Sequence, residues 1–213
     1  VYKFGKKLCE SKDSCGGRFN EVRIAVKEGL VLNEIKQSRV DVSDVSGGKL
    51  EALVEIYQIL ASAQSVVFVG KKAEADRVQK ELTSRGISVT KLHGNCSGDE
   101  RDRIMEGFRN GGSKVLLTTD VLARGVDVPA TSMVVNYDLP VDRNGKPAPE
   151  TYLHRIGRCG RFGRKGCAFS FVDSEGDKSL LAAIQGHFKC EMAEASIDDA
   201  EELEELVKEC LKH

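Results

Sequence analysis

Long apolar runs, paired cysteines and an excess of either charge are all missing from this 213-residue chain. Without a long apolar run or a signal peptide, we expect neither a membrane-spanning nor a secreted protein. The seven cysteines include no Cys-x-x-Cys pair, and His93 with Cys96 comes nearest to a ligand pair, so we expect reduced thiols and no bound metal. A net charge of −1 and a pI near 6.5 exclude a uniformly basic nucleic-acid binder. Any contact with nucleic acid therefore has to come from a local cluster.

A phosphate-binding loop is absent too. No Gly-x-x-x-x-Gly-Lys-Ser/Thr segment occurs in the sequence, and no Asp-Glu-Ala-Asp segment either. Gly70-Lys71-Lys72 follows a predicted strand but lacks the rest of the loop pattern. The chain therefore cannot by itself hold the β- and γ-phosphates of a nucleotide with Mg²⁺ in the usual manner, which excludes a P-loop kinase or GTPase.

What is present is an alternation of short β-branched runs with helical stretches. It predicts one α/β domain over residues 35–213, with a central, mostly parallel β-sheet flanked by helices on both faces. Residues 1–34 lack a regular apolar pattern, and we interpret them as a leader or an interdomain-linker remnant. Such sheets bind ligands at the carboxyl ends of their strands, so the loops after strands are the candidate functional segments. The predicted strands are 35–42, 66–69, 89–92, 114–118, 133–137 and 167–172, and the predicted helices are 49–61, 73–84, 100–108, one from about 150, 179–188 and an acidic 197–211.

The segment from His154 to Arg164 carries the strongest chemical signal. His154, Arg158 and Arg161 are spaced i, i+4, i+7, which would align them on one helical face. Glycines at 157, 160 and 163 weaken a helix and allow close backbone approach. Arginines at this density repel one another unless an anion lies between them, and guanidinium groups suit phosphate oxygens. A solvated basic face is the alternative.

Residues 118–127 begin where a predicted strand ends. The hydroxyls of Thr118 and Thr119 can hydrogen-bond to a phosphodiester, and Asp127 can accept from a ribose hydroxyl. The alternative is a capped turn, in which Thr and Asp are ordinary helix caps and Gly125 is an ordinary turn residue.

A third segment follows the predicted strand 89–92. Gly94 permits close backbone approach, and Arg101 lies in the first turns of the next helix. Because acidic residues flank Arg101 on both sides, a surface ion pair is a serious alternative to a ligand contact.

Together these segments resemble the C-terminal half of DEAD-box RNA helicases, in the family's order and separations. The resemblance is densest over residues 35–172. The chain resembles motif IV of the family at residues 66–72, motif V at 118–127 and motif VI at 154–161. It resembles the element after motif V at Asn136-Tyr137-Asp138. The tight Ala-Arg-Gly-x-Asp and His-Arg-Ile-Gly-Arg spacings disfavour another helicase class, such as a DNA unwinder.

The resemblance implies a RecA-like domain that shares an ATP site with the N-terminal RecA-like half of the same protein. That half would hold Mg²⁺ and the Walker lysine, so the chain alone should not hydrolyse ATP. In this arrangement Arg158 and Arg161 are the catalytic arginines at the γ-phosphate, with Arg161 as the arginine finger, and Gly125 and Asp127 face the ATP ribose. RNA-backbone contacts fall to Gly94, Arg101, Thr118 and Thr119, and interdomain contacts to His154 and Arg124.

One loop is longer than in translation-initiation-type members of the family, and this narrows the resemblance to one subfamily. Residues 141–152 form an insert like that of the nuclear-pore mRNA-export subfamily, and the region 161–166 also fits. This resemblance implies an export activator with inositol hexakisphosphate and a nucleoporin as partners, and a location at the cytoplasmic face of the nuclear pore, in the cytoplasm or in the nucleus.

Three positions depart from the family pattern. Cys159 stands in place of the usual motif VI threonine, and flanking arginines would lower its pKa and make it oxidisable. Gly98 and Asn95 replace a common Gln and Asp, which changes the expected details of RNA contact near Arg101. A non-catalytic lobe that docks helicase regulators is the alternative function, and binding of a regulator without nucleotide distinguishes it.

Overall fold

The computed structural model describes residues 35–59, 64–92, 94, 96–120, 131–159 and 165–196, with positions 201, 204, 205 and 208 of the acidic tail. Its strands are β1 (Ile35–Asp41), β2 (Ser65–Phe68), β3 (Val89–Leu92), β4 (Val115–Thr118), β5 (Met133–Asn136), β6 (Gly166–Val172) and β7 (Ala193–Glu194). The helices among the described residues up to 196 are α1 (Gly48–Ile59), α2 (Lys72–Ser84), α3 (Gly98–Arg109), α4 (Pro149–Ile156) and α5 (Glu175–Phe188).

The strands form one sheet in the order β3-β4-β2-β5-β6-β1-β7, and every pair of neighbours in it is parallel. The sequence-based prediction of a parallel α/β sheet is thereby confirmed. The predicted strands and helices agree with the observed ones to within about two residues, apart from α5. This helix begins at Glu175, four residues earlier than expected, because the Ser174 hydroxyl accepts a hydrogen bond from the Asp177 amide and caps it.

Helices cover both faces of the sheet. Side chains that alternate along β2 divide between two cores: Val67 packs with α1 and α2, whereas Val66 and Phe68 pack with α3, α4 and α5. β6 is buried along its whole length, as expected for a central strand of a doubly covered sheet. Within the described ranges, no helix is both long and apolar enough to cross a bilayer.

The strand order creates a crevice at the carboxyl edge. From β2 the chain moves outward to β3, returns to β4, and then crosses to β5 on the other side of β2. Loops that leave β4 and β5 therefore diverge above β2, and such a reversal of strand order is where open α/β sheets bind ligands. The fold thus directs attention to the carboxyl ends of β4, β2 and β5.

Away from this crevice, the end of β1 gives a pH-dependent prediction. The Asp41 carboxylate accepts hydrogen bonds from the Ser43 hydroxyl (2.7 Å) and the Ser43 amide (3.1 Å) and pairs with Lys178 (3.0 Å). These contacts lower the pKa of Asp41 to about 2. Because the folded pKa lies below the unfolded value, the stabilisation is complete above pH ~4 and is lost as pH falls through about 2.

We therefore expect Asp41→Asn to lower the free energy of unfolding at pH 6 by no more than about 1 kcal/mol, since the pair is near the surface. The difference from wild type should be much smaller at pH 2, where about half of Asp41 is protonated in the folded state. Urea denaturation at both pH values measures this, and Ser43→Ala should raise the pKa of Asp41 in an NMR titration. An equal difference at both pH values would contradict the assignment.

Candidate functional site

Asp138 joins the loops that follow β2 and β5. Its Oδ2 accepts a hydrogen bond from the Gly70 amide at 2.7 Å, and its own amide donates to the Phe68 carbonyl at 3.2 Å. A Cβ on residue 70 would lie 3.3 Å from the same carboxylate oxygen, so glycine at this position allows the contact without displacing the carboxylate. The Asp138 carboxylate already accepts the hydrogen bond of the Gly70 amide, a donor that a phosphate loop would offer to a phosphate. Gly70-Lys71-Lys72 therefore resembles a phosphate loop in sequence only, as predicted.

Lys49 extends this network towards β1 and β6. Its ammonium group lies 3.0 Å from Asp177, 3.3 Å from Asp173 and 3.4 Å from Asp138. Burial disfavours the charged form of Lys49, but the three carboxylates outweigh it and raise the pKa of this lysine. Burial and the neighbouring Asp173 carboxyl raise the pKa of Asp177. The cluster ties the start of α1 and the start of α5 to the loop after β5. Among the described residues, no group of three or more His, Cys, Asp or Glu side chains is arranged to hold a metal ion.

Arg155 is the most deeply buried charged side chain at the edge of the crevice. It is 1% exposed, and its guanidinium lies 5.0 Å from the centroid of the Phe68 ring. Its Nε donates to Asp120 Oδ1 at 2.6 Å, and its Nη1 donates to Asn136 Oδ1 at 3.2 Å and to the Asp138 carbonyl at 2.6 Å. Burial lowers the pKa of the guanidinium, and the Asp120 carboxylate opposes that effect. One side chain on α4 thus connects the segments that follow β4 and β5.

Sequence analysis assigned Arg155 no role, although a signal for its burial exists. Tyr152, Arg155 and Ile156 are the buried residues of α4, and their i, i+3, i+4 spacing places Arg155 on the apolar face of the helix. Burying a charged side chain costs free energy unless it is paired, so a charged residue on that face needs partners inside the domain.

The predicted RNA-contacting residues all follow β3 or β4. Gly94 is exposed in the turn after β3, and Arg101 is half-buried in α3. The Arg101 Nε is buried, with no hydrogen-bond partner among the described atoms. Thr119 is half-buried, but Thr118 is 1% exposed, and its hydroxyl donates to the Thr119 carbonyl at 3.0 Å. Of the two predicted threonine hydroxyls, only that of Thr119 is open to a ligand.

The end of α4 differs from the predicted helical face. The helix stops at Ile156, so Arg158 is not one turn beyond His154 on a continuous helix. Gly157 ends the helix, and Arg158 donates its amide to the Arg155 carbonyl (3.1 Å) while accepting from the Thr131 amide (3.1 Å). Arg158 is therefore fixed against the segment that enters β5, half-buried, whereas His154 stays exposed.

Several predicted positions lie outside the described residues. They are His93, Asn95, Arg124, Gly125, Asp127 and Arg161. The leader interpretation of residues 1–34 also falls there, as does most of the predicted acidic helix, of which the four described tail positions are helical.

Cys159, which the sequence suggested as an oxidisable thiol, is buried. It is 1% exposed, and its Sγ donates to the carbonyl of Ile156 at 3.0 Å and approaches that of Cys167 at 3.6 Å. The side chain packs in the core cluster of α3, α4 and α5, and burial keeps oxidants away from the sulfur.

The insert after β5 is an ordered hairpin. Val141 and Pro147 form an antiparallel bridge, and the Asp142 carboxylate accepts from the amides of Asn144 (2.8 Å) and Lys146 (2.9 Å). Gly145 has φ +74, which glycine adopts without strain. Val141 is 43% exposed at the base of the hairpin. The insert therefore presents a fixed surface beside the crevice.

Comparison with known proteins identifies the same region of the chain. The family model described as the helicase conserved C-terminal domain matches residues 48–163. An ATP-dependent RNA helicase DBP5 from Yarrowia lipolytica is 46% identical over 193 residues, which are 91% of this chain and 39% of that protein. The chain thus spans about two fifths of the length of this curated relative.

Solved structures of Dbp5 share the fold. A structure of the C-terminal domain of the DEAD-box protein Dbp5 has a TM-score of 0.76 and 46% identity, covering 84% of this chain and 99% of that one. S. cerevisiae Dbp5 bound to RNA and ADP BeF3 has a TM-score of 0.82 and 42% identity, covering 99% of this chain and 52% of that one. A third structure, of S. cerevisiae Dbp5 bound to Nup159, Gle1, IP6 and ADP, has a TM-score of 0.75 and 38% identity, covering 98% and 51%.

Proposed function

This chain belongs to the helicase conserved C-terminal domain family, in its DEAD-box branch, and we propose that it forms the second half of an ATP-dependent RNA helicase. The proposal rests on one segment that the sequence contains and one that it lacks. The 213 residues contain the arginine segment 154–164 but no phosphate-binding loop. A domain with this composition completes an ATP site that another domain begins.

In this site Arg158 and Arg161 stabilise the charge that develops on the γ-phosphate during phosphoryl transfer, with Arg161 as the arginine finger. Gly125 and Asp127 face the ATP ribose. The fixed backbone of Arg158 supports its role, because charge stabilisation needs groups that are already in place before the reaction. We assign Mg²⁺ to the N-terminal half, because the segments that hold it in this family do not occur in this sequence.

RNA would lie across the carboxyl ends of β3 and β4. Thr119 would bind a phosphate through its hydroxyl, Gly94 through its backbone and Arg101 through its guanidinium, whose buried Nε offers an unused donor. The buried hydroxyl of Thr118 would orient the Thr119 carbonyl. Thr118 itself would contact RNA only through its backbone. Contacts of this kind carry no base preference. His154, which is exposed, and Arg124 would face the N-terminal domain.

The cellular role that we propose is mRNA export at the cytoplasmic face of the nuclear pore. S. cerevisiae Dbp5, the compared protein, is solved with Nup159, Gle1 and IP6. The ordered hairpin from Val141 to Pro147 is the subfamily-like insert, and its position beside the crevice suits contact with a regulator. By this proposal the protein that contains this chain binds an export activator with inositol hexakisphosphate, and a nucleoporin.

The alternative is a lobe that docks regulators without contributing to catalysis. The hairpin between Val141 and Pro147 is the surface that such a lobe would offer to a regulator. The two functions are compatible in one domain, but they differ in how nucleotide affects the binding of a regulator. A docking lobe binds its regulator equally well with or without nucleotide, and its arginines are dispensable for turnover.

ATP hydrolysis by the isolated chain and by the protein that joins it to its N-terminal half tests the proposal. We expect the isolated chain to show no hydrolysis above background, with or without single-stranded RNA. The joined protein should hydrolyse ATP, and RNA should raise its turnover at least tenfold. Hydrolysis by the isolated chain would contradict the composite site. A joined protein that ignores RNA yet binds the activator without nucleotide would favour the docking lobe.

A further inference from the structure

The two groups of proposed ligand contacts lie at different ends of the sheet. Thr119 follows the carboxyl end of β4, whereas the backbone of Arg158 is bonded to Thr131, which precedes the amino end of β5. By the register of the sheet Thr119 lies level with Tyr137, six residues beyond Thr131, which is about 20 Å at ~3.3 Å per residue. If RNA and ATP influence one another within this domain, some element has to connect the two levels.

Arg155 lies between these two levels and contacts residues on both sides. Its backbone carbonyl accepts from the Arg158 amide at 3.1 Å, so its main chain belongs to the ATP-side group. Its side chain reaches the other group, where Nε donates to Asp120 Oδ1 and Nη2 lies 2.6 Å from the same oxygen. Asp120 is the residue directly after Thr119. A continuous path therefore runs from Thr119 through Asp120 and Arg155 to Arg158.

The charges along this path make it sensitive to a ligand. Arg155 is 1% exposed, and its other acceptors among the described residues, the Asn136 side chain and the Asp138 carbonyl, are neutral. Asp120 thus supplies the carboxylate in direct contact that a buried guanidinium requires. The Asp120 side chain is 42% exposed and adjoins the proposed phosphate contact. An RNA phosphate at Thr119 repels this carboxylate, and the pairing with Arg155 offsets the repulsion.

We propose that Arg155, held by Asp120, is a positioning residue that couples the RNA contact after β4 to the ATP-contacting Arg158. This inference rests on the proposed function, and it assigns the cooperativity between RNA and nucleotide within this domain to one ion pair. Arg155 touches neither ligand. It fixes the backbone from which Arg158 projects, and its own position depends on where Asp120 lies.

The test uses the full helicase and the substitution Asp120→Asn, which removes the charge and keeps the shape. Dissociation constants of a fluorescent oligouridine are measured with and without ADP–beryllium fluoride, and their ratio is the coupling factor. Couplings between sites typically amount to 5–150-fold. We expect Asp120→Asn to reduce the wild-type factor by about tenfold. RNA affinity without nucleotide should be equal to or tighter than wild type, because a negative charge beside the phosphate is gone.

Matched variants separate positioning from structural damage. Glu194→Gln breaks an exposed ion pair, with Arg39, on β7 at the opposite edge of the sheet from β3 and β4, and should leave the coupling factor unchanged. Asp120→Glu retains the carboxylate and should restore most of the coupling. The double variant Asp120→Asn with Arg155→Lys should lose little more coupling than Asp120→Asn alone, since both changes break the same link.

Three results would overturn the inference. They are an unchanged coupling factor in Asp120→Asn, a weaker RNA affinity in the absence of nucleotide, and an equal effect of Glu194→Gln. A wild-type protein with a coupling factor of one would instead refute the proposed helicase function, so the two failures are distinguishable. Thermal unfolding of each variant checks the fold, because Asp120→Asn leaves the buried Arg155 guanidinium without its carboxylate partner, whereas Asp120→Glu keeps the charge and so keeps the coupling measurable.

Discussion

Replacing Phe169 by alanine should lower the free energy of unfolding by about 3–5 kcal/mol. Phe169 lies in the middle of β6 and is 0% exposed. In the sheet it stands between Ser38 of β1 and Val135 of β5, and its ring packs in the core that α1 and α2 cover. Strands hold it from both sides, so the surroundings cannot collapse into the cavity that alanine leaves.

Chemical denaturation of the wild type and the variant measures the difference. Phe188→Ala is the matched control, because Phe188 is half-buried at the end of α5 and stacks edge-on against His187. We expect it to cost about 1 kcal/mol, since part of its ring is already in water. Equal losses for the two variants would mean that β6 is not the central strand on which the sheet depends.

The main strands and helices were predictable because their hydrophobic periods are clear. Val66 to Val69 and Met133 to Tyr137 are continuous apolar runs, as central parallel strands require, and both were placed to within a residue. β7 was not predicted, because a strand of two exposed residues has no period to detect. β7 pairs with β1 at Ser38 and Arg39. This is a long-range contact that forms only in the folded chain.

At the candidate site, sequence identified the segments better than the side chains. Spacing placed His154 and Arg158 on one helical face, but Gly157 ends α4 and turns the chain towards Thr131. Both Thr118 and Thr119 suggested hydroxyl donors, yet Thr118 is the last residue of β4, a strand buried along its whole length, and its side chain is covered. Local spacing cannot show where a helix ends against its neighbours or which of two adjacent residues faces the core.

Arg155 and Asp138 illustrate what only the fold supplies. Their partners lie 35 and 68 residues away in sequence, at Asp120 and Gly70. The strand order brings these residues together, because β2 is flanked by β4 and β5. A residue pattern can show that Arg155 occupies an apolar face, but the acceptors that balance its charge follow from the topology.

The central claim is that this domain supplies arginine to an ATP site that it does not build alone. RNA-stimulated ATP turnover of the full helicase, wild type against Arg161→Ala, tests this claim most directly. An arginine finger contributes on the order of 10³–10⁵ in rate, so we expect kcat to fall by at least about 10³-fold. The dissociation constant of ATP should change little, because the N-terminal half holds the phosphates.

Arg109→Ala is the matched control for that measurement, because Arg109 is exposed in the last turn of α3, at the opposite end of that helix from the crevice. It should retain full turnover. A collapse of kcat in Arg161→Ala with ATP binding retained is the result we predict, and it would place this arginine at the transferring phosphate. Near-normal turnover in Arg161→Ala would contradict the composite ATP site and would favour a domain that only docks regulators.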